Sequence, residues 1–361
     1  MLASPALTIT RIEKSGVYTM GMIIQGTWSE QDQIIRDGTY VRPASAFDDA
    51  IHADVIAGLA QEAGRYHLIA SLSCQWSHRA LILRKLKNLE SQVPIQLAHG
   101  PRREGYAVNG GDTWRVPGGN LDIQHLHQLY TLSDDEFTGR STVPVLWDSQ
   151  TQSIVSNSSA AIMCALDAVV SPGPEPDFSL RPDDLRDEID TLNAVIYDGL
   201  ANGVYRAGFA ESQEAYDVAV NEVFATLDQL EERLAASRYL FGNIITEADW
   251  RLFPTLVRFD HVYYVLHKCA RRRLVDYPRL WDYTRDLFGW RGLKETVDFD
   301  IIRRASYTND TSGNANRIVA IAPDINWSEP HGRETLGPAQ VALRSGEIVG
   351  IDPATLKQVA G

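Results

Sequence analysis

Cysteine is scarce in this 361-residue chain, which contains only three. Three cysteines cannot form a disulfide framework, so a reducing compartment is the simpler expectation. The N-terminal sequence MLASPALTITRIEK lacks the charged and apolar regions of a signal peptide. No stretch approaches the roughly 18 consecutive apolar residues that a membrane helix needs. These absences predict a cytoplasmic protein that does not associate with membranes.

Positive charge is also in short supply. The chain has 34 Lys and Arg against 47 Asp and Glu, which gives a net charge of −13. Because nucleic acids and anionic membranes select basic surfaces, neither is the expected partner. A content of 44% hydrophobic and 22% charged residues is ordinary for a globular protein. The length allows two domains.

The first half of the chain has the pattern of a mixed α/β unit. Short apolar runs predict strands, and apolar residues at helical spacing predict the helices between them. The predicted order is strand 65–71, helix 76–90, strand 94–98, loop 99–124, strands 142–147 and 153–156, and helix 157–169. A β-α-β unit followed by a β-β-α unit is typical of thioredoxin-like domains.

The second half has helical periodicity throughout. Ser171–Pro176 contains three prolines, cannot continue a helix and predicts a linker. Helices are predicted over 213–234, 249–266 and 277–288, and little regular structure is expected from 308 onwards. The predicted fold class is α/β followed by all-α. The predicted units are an N-terminal extension (1–59), a thioredoxin-like domain (60–170), a linker (171–183), an all-helical domain (184–303) and a C-terminal extension (304–361).

Cys74 has the sequence context of a reactive thiol. It lies in SCQWSHR, at the turn between the first predicted strand and its helix. The N–H groups and dipole of a helix N-terminus favour the thiolate, and His78 and Arg79 are expected to add positive potential. Because the motif is C-x-x-S, an external thiol must resolve any disulfide formed here. Cys164 and Cys269 have apolar surroundings and are predicted to be core residues.

Two more segments have features of a ligand site. Val143-Pro144 precedes a strand end and is predicted to be cis, as the proline at this place is in thioredoxin-like folds, and a cis bond exposes the backbone groups of Val143. An ordinary edge proline is the alternative. Asn157–Ser159 opens a helix, where Ser and Asn are favoured N-caps and free N–H groups suit a carboxylate.

Together these segments resemble the glutathionyl-hydroquinone reductases, the Xi class of glutathione transferases, over about residues 40–333. The resemblance is carried by Cys74-x-Trp76-x-His78-Arg79, Gly139–Asp148, Gly203–Ala210, Tyr239–Gly242 and Ile245–Leu256. It implies a glutathione-transferase fold, glutathione as co-substrate, a quinol thioether as substrate, no metal, and a homodimer.

The resemblance also implies a reaction and its residues. The Cys74 thiolate would attack the sulfur of a glutathionyl-hydroquinone, release the hydroquinone and form a mixed disulfide that a second glutathione resolves. The implied catalytic residues are Cys74, Tyr205, Tyr263 and Tyr307, with the tyrosines lining the aromatic-substrate pocket. The implied glutathione-binding residues are Trp114, Arg140, Val143, Ser158 and Ser159.

Four positions depart from the usual family pattern. Gln75 and Ser77 replace Pro and Ala, Ser158 replaces Glu, and Ser306 stands where a second tyrosine is more frequent. The missing glutamate would accept a hydrogen bond from the α-ammonium of glutathione, worth roughly 1.5–3 kcal/mol. A thiol without that ammonium, such as mycothiol, would not need it. Alternatives are therefore the same chemistry or general thioltransferase activity with another thiol, and a non-catalytic binding module.

Overall fold

The computed structural model describes residues 21–31, 35–48, 50–100, 102–170, 176–309 and 313–359. Parts of the predicted N-terminal extension and the first five residues of the predicted linker lie outside these ranges. The strands are β1 (Met22–Ile24), β2 (Thr27–Ser29), β3 (Ile35–Arg36), β4 (Thr39–Tyr40), β5 (Tyr66–Ala70), β6 (Ile95–Leu97), β7 (Trp114–Arg115), β8 (Asp122–Ile123), β9 (Val145–Asp148), β10 (Ser153–Ser156), β11 (Phe178–Ser179), β12 (Gln340–Leu343) and β13 (Ile348–Gly350). The α-helices are α1 (Ala53–Gln61), α2 (Gln75–Leu86), α3 (His127–Ser133), α4 (Ser159–Ala168), α5 (Arg186–Val195), α6 (Gly203–Gly208), α7 (Gln213–Arg233), α8 (Glu247–Leu256), α9 (Pro278–Phe288) and α10 (Phe299–Asn309). Within the described ranges, no helix has the length and apolar character of a bilayer-spanning segment.

The thioredoxin-like part is built on a four-stranded sheet in the order β10-β9-β5-β6. Strand β5 pairs in parallel with β6 and antiparallel with β9, which forms a hairpin with β10. The predicted strand and helix order is therefore confirmed. Helix α2 lies between this sheet and the helical domain, and nine of its twelve residues are buried. It ends at Leu86, four residues before the predicted end.

The predicted loop over 99–124 contains more regular structure than its composition indicates. Strands β7 and β8 form a short antiparallel hairpin, and single bridges join Ala98 to Val108 and Ala107 to His125. Strands of two residues are too short to show a period of two, so the Gly- and Asn-rich turns dominate the sequence pattern. The expectation of an unstructured loop is therefore wrong.

Helix α8 opens the core of the helical domain. Its N-terminus is a capping box in which Thr246 and Asp249 satisfy each other's free backbone N–H groups. The predicted single helix over 249–266 is wrong, because α8 ends at Leu256 and a π-helical turn follows over Phe259–Tyr263. The apolar spacing continues through this change of turn, so periodicity alone does not reveal the break. The turn directs Tyr263 towards the sheet domain.

The C-terminal and N-terminal extensions pack against different sets of elements. The tail forms a three-stranded sheet with β11, so the expectation of little regular structure is wrong. In the same tail, buried Arg333 donates to backbone carbonyls of Leu234 and Arg238 at 3.2 and 3.0 Å. The N-terminal extension instead contacts both domains: the Phe47 N–H donates to Asn157 Oδ1 of the sheet domain at 3.0 Å, and Arg42 Nε donates to Asn202 Oδ1 of the helical domain at 2.8 Å. Helix α10 crosses the predicted boundary between residues 303 and 304.

Candidate active site

A cavity of about 730 Å³ lies between the sheet domain and the helical domain. Its walls include the segment 40–48 of the N-terminal extension, the turn before α2, the N-terminus of α4 and side chains of the helical domain. The cavity is therefore assembled from segments that are far apart in the chain.

Cys74 faces this cavity as the N-cap residue of α2. Its Sγ lies 3.6 Å from the carbonyl oxygen of Val143, and the Val143-Pro144 bond is cis, which confirms that prediction. The other two thiols differ sharply. Burial raises the pKa of Cys164 to about 11 and that of Cys269 to about 12, so both stay protonated at neutral pH. Neither lines the cavity.

Arg258 of the helical domain holds the turn that carries Cys74. Its guanidinium donates to the carbonyl oxygens of Leu72 and Ser73 at 2.9 and 3.3 Å. It also lies 2.8 Å from His78 Nδ1 and is 1% exposed. Sequence reasoning missed this residue, and an arginine inside an apolar helical stretch was the available signal.

The expected positive potential of His78 is wrong. Burial, with Arg258 as a second cause, holds the pKa of His78 well below its usual value, so the ring is neutral at pH 7. Its Nε2 lies 2.8 Å from Thr296 Oγ1. Arg79 does line the cavity, with its guanidinium carbon 4.5 Å from the Trp76 ring centroid, and burial lowers its pKa to about 9.

Four of the five predicted glutathione-binding residues line the cavity near Cys74. Ser158 is the N-cap of α4 and accepts a hydrogen bond from the Ala161 N–H at 3.4 Å, which confirms the predicted helix start. Ser159 follows as the first helical residue. The residues brought together here are Arg140, Val143, Ser158 and Ser159.

Trp114, the fifth of these residues, is not among those that line the cavity. It lies in β7, where it pairs with Ile123, and it is partly buried against the same apolar cluster that Cys74 contacts. Tyr106 is the aromatic residue of this region that does line the cavity. Arg102 Nη2 donates to its hydroxyl at 2.8 Å. Burial, and to a lesser extent nearby Cys74, raises the pKa of Tyr106. Sequence reasoning missed Tyr106 because it lies in a Gly-rich segment.

Two of the three predicted tyrosines meet at the opposite side of the cavity. The rings of Tyr205 and Tyr263 are 5.9 Å apart, and Tyr205 also stacks on Trp76 at 6.5 Å. Burial raises the pKa of both phenols, so both remain hydrogen-bond donors at neutral pH.

Tyr307 is not brought into the cavity. Ser306 and Asn309 are lining residues, whereas Tyr307 is buried in the core. Residues three apart on a helix share a face, and the next residue points about 100° away. The helical phase of α10 therefore turns Ser306 towards the substrate space in place of the tyrosine. A catalytic role for Tyr307 stays a prediction, and Ser306 is the residue of this pair that lines the cavity.

The charges of the cavity wall are unevenly distributed. Of the described residues that line it, five are arginines and one, Asp48, is a carboxylate. The arginines are Arg42, Arg79, Arg102, Arg140 and Arg251. This local excess of positive charge contrasts with the net charge of −13 for the whole chain and suits anionic groups. Among the described residues, no group of three or more His, Cys, Asp or Glu could hold a metal ion.

Comparisons with known proteins fit this geometry. The N-terminal domain family of glutathione S-transferases matches residues 73–169, and the C-terminal domain family matches 213–286. Glutathionyl-hydroquinone reductase YqjG of Escherichia coli K12 is 42% identical over 332 residues, which covers 87% of this chain and 99% of that protein. The chain belongs to the glutathionyl-hydroquinone reductases, the Xi class of glutathione transferases. PcpF, the glutathionyl-hydroquinone reductase of Sphingobium chlorophenolicum, is 38% identical over 307 residues, covering 84% and 96% of the two chains.

Solved Xi-class structures share the fold. The enzyme of Natrialba magadii superposes with a TM-score of 0.76 at 35% identity, covering 89% of this chain and 98% of that one. Glutathione-bound YqjG of Escherichia coli gives a TM-score of 0.73 at 39% identity, covering 87% and 99%. The likeness therefore extends over both domains of the Xi-class fold.

The structure explains one departure of this Xi-class chain from its family. Gln75 replaces the usual proline, and its amide bridges the two domains. Its Nε2 donates to the carbonyl oxygen of Ala201 at 2.8 Å, and its Oε1 accepts from Thr255 Oγ1 at 2.5 Å. Because Gln75 directly follows Cys74, these bonds help Arg258 to fix the reactive turn against the helical domain.

Proposed function

We propose that this protein is a glutathionyl-hydroquinone reductase with Cys74 as its nucleophile. One observation carries the proposal: a half-buried thiol at a helix N-terminus faces a cavity that has a second helix N-terminus on one side and two phenols on the other. The relatives named above as glutathionyl-hydroquinone reductases support the same activity.

The proposed reaction consumes one free glutathione for each conjugate cleaved. The Cys74 thiolate attacks the glutathionyl sulfur, the sulfur–carbon bond breaks, and its electron pair passes to the ring carbon of the quinol. That carbon takes a proton and the hydroquinone leaves. A second glutathione thiolate then attacks the mixed disulfide at the glutathione sulfur, which releases glutathione disulfide and the Cys74 thiolate. Overall the ring carbon is reduced, and the sulfur of the conjugate and that of one free glutathione are oxidised to the disulfide.

The proton for the ring carbon comes from the paired phenols. Tyr205 and Tyr263 line the cavity and keep their protons because burial raises the pKa of each. A phenol that is protonated at working pH can act as a general acid or stabilise the enolate form of the leaving quinol. We assign this role to Tyr263 rather than to Tyr205. Tyr263 is only 2% exposed, and a hydrogen-bond donor that is shielded from water interacts more strongly.

Asp48 supports glutathione as the thiol. It lines the same cavity as Ser158 and Ser159, and its neighbour Phe47 is tied to Asn157 by two hydrogen bonds of 3.0 and 3.1 Å. Asp48 itself makes no hydrogen bond or ion pair with another described residue. A carboxylate beside the α4 N-terminus can accept from the α-ammonium of a γ-glutamyl group, as the family's glutamate would. This assignment favours glutathione over mycothiol.

By resemblance alone, the proposal extends to a homodimer that works in the cytoplasm. Light scattering coupled to size-exclusion chromatography measures the molar mass in solution. For a homodimer we expect twice the chain mass of 40.2 kDa. A single-chain mass at micromolar concentration would contradict it.

Intact-protein mass spectrometry after incubation with a glutathionyl-hydroquinone tests the reaction. We expect an adduct of one glutathione and release of the free hydroquinone. Cys74→Ser should abolish both, whereas Cys164→Ser is the matched control and should retain both, because burial keeps that thiol protonated. Adduct formation in Cys74→Ser, or no hydroquinone release by the unmodified protein, would contradict the proposal.

A further inference from the structure

Arg42 of the N-terminal extension lies in the cavity next to the aromatic side chains of Trp76 and Tyr205. Arg42 Nε donates to Asn202 Oδ1 of the helical domain at 2.8 Å. Its guanidinium carbon lies 4.9 Å from the ring centroid of Trp76 and 4.9 Å from that of Tyr205. Stacking on two aromatic faces and one hydrogen bond restrict the guanidinium to a narrow range of orientations.

The remaining donors of Arg42 are unused. Its terminal nitrogens make no hydrogen bond or ion pair within the described ranges, although Arg42 lines the cavity and is half-buried. Among the described lining residues Asp48 is the one carboxylate, and no ion pair joins it to Arg42. The planar fork of a guanidinium matches a carboxylate in two parallel hydrogen bonds. The free N–H groups of Arg42 can therefore donate to an anionic group on a bound ligand.

We propose that Arg42 is an anion subsite and that the preferred substrates are glutathionyl conjugates of hydroquinones with a carboxylate on the ring. The inference rests on the proposed reductase function. The Arg42 guanidinium stacks on Tyr205 and Trp76. A quinol ring that packs beside these two side chains therefore has its substituents next to the guanidinium. Glutathione's own carboxylates belong to the other side of the cavity, with Arg140 and the α4 N-terminus, so a second anion is needed to match Arg42.

The test compares two conjugates that differ only in charge. These are the glutathionyl conjugates of 2,5-dihydroxybenzoate and of its methyl ester. A charge-assisted hydrogen bond predicts that kcat/KM is at least about tenfold higher for the acid than for the ester. Arg42→Gln should reduce this preference to within about twofold while turnover of the ester continues. Arg42→Lys, which keeps the charge without the planar fork, should retain part of the preference.

Arg36→Gln is the matched control, because it removes the same charge from an exposed residue of the same extension that does not line the cavity. It should keep the full preference for the acid. The proposal is overturned if the unmodified protein cleaves both conjugates equally well, or if Arg42→Gln lowers both rates in the same proportion, so that the preference for the acid persists. Failure of the reductase function itself would look different, because neither conjugate would release its hydroquinone.

Discussion

The thiol side and the aromatic side of the cavity are built from different kinds of groups. The thiol side, defined by Cys74, Val143, Ser158 and Ser159, presents two helix N-termini and the backbone at a cis peptide bond. The aromatic side, defined by Arg42, Trp76, Tyr205 and Tyr263, presents side chains from the extension, α2 and the helical domain. Backbone groups fix one side, and packed side chains fix the other.

This difference separates chemistry from substrate choice. Helix N-termini and backbone carbonyls keep their positions as long as the sheet domain folds, so the thiol chemistry survives many substitutions. The aromatic side depends on individual side chains, so a single replacement such as Ser306 changes the shape of the substrate space. We therefore expect the two sides to respond independently to mutation, except at residues that hold both.

Arg258 is such a residue and should give the largest effect. Arg258→Gln leaves the carbonyls of Leu72 and Ser73 and the ring of His78 without their buried donor. We expect a loss on the order of 3–5 kcal/mol in the free energy of unfolding. Urea denaturation measures this loss, and the rate of Cys74 alkylation by iodoacetamide should fall as the turn loosens.

Arg304→Gln is the control, since this arginine is exposed on α10 and pairs only with Asp300. It should change the free energy of unfolding by less than about 0.5 kcal/mol. If Arg258→Gln matches that small effect, Arg258 does not hold the two sides together.

Much of the thiol side was predictable from the sequence, because its signals are local. An N-cap serine, a proline after valine and a cysteine at a strand–helix turn each report on a few neighbouring residues. The strand and helix order of the sheet domain followed from the same kind of pattern. The capping box of Thr246 and Asp249, which begins α8, could be predicted from the same kind of local pattern.

The aromatic side was predictable only in part, because its residues meet through tertiary structure. Arg42 and Tyr106 lie in segments without strong periodicity, and nothing near them in the sequence indicates the cavity. Tyr307 was one residue away from the position that faces the substrate space, and only the rotation of α10 distinguishes it from Ser306. Trp114, which was predicted for the thiol side, is partly buried in the two-residue strand β7, and its contact with glutathione stays a prediction.

Tyr263→Phe should affect the aromatic side alone. Loss of the general acid is expected to lower quinol release about 10²-fold. Reduction of a non-aromatic glutathione mixed disulfide involves no ring carbon and should change less than about twofold. Steady-state assays of both reactions measure the split. Tyr264→Phe is the control, because the adjacent tyrosine does not line the cavity. Equal losses in both reactions would contradict the independence of the two sides.

Asp48→Asn should affect the thiol side alone, with the smallest effect. If Asp48 accepts from the α-ammonium, the unmodified protein should have a KM about tenfold lower for glutathione than for its des-amino analogue. Asp48→Asn should bring the two values together by weakening glutathione only. Asp54→Asn, an exposed aspartate of α1 outside the cavity, should leave the preference intact. A preference for glutathione that persists in Asp48→Asn would remove the assignment, and equal KM values in the unmodified protein would favour a thiol without a free amine. Because neither result depends on Arg42 or Tyr263, this measurement distinguishes recognition of the thiol from recognition of the quinol.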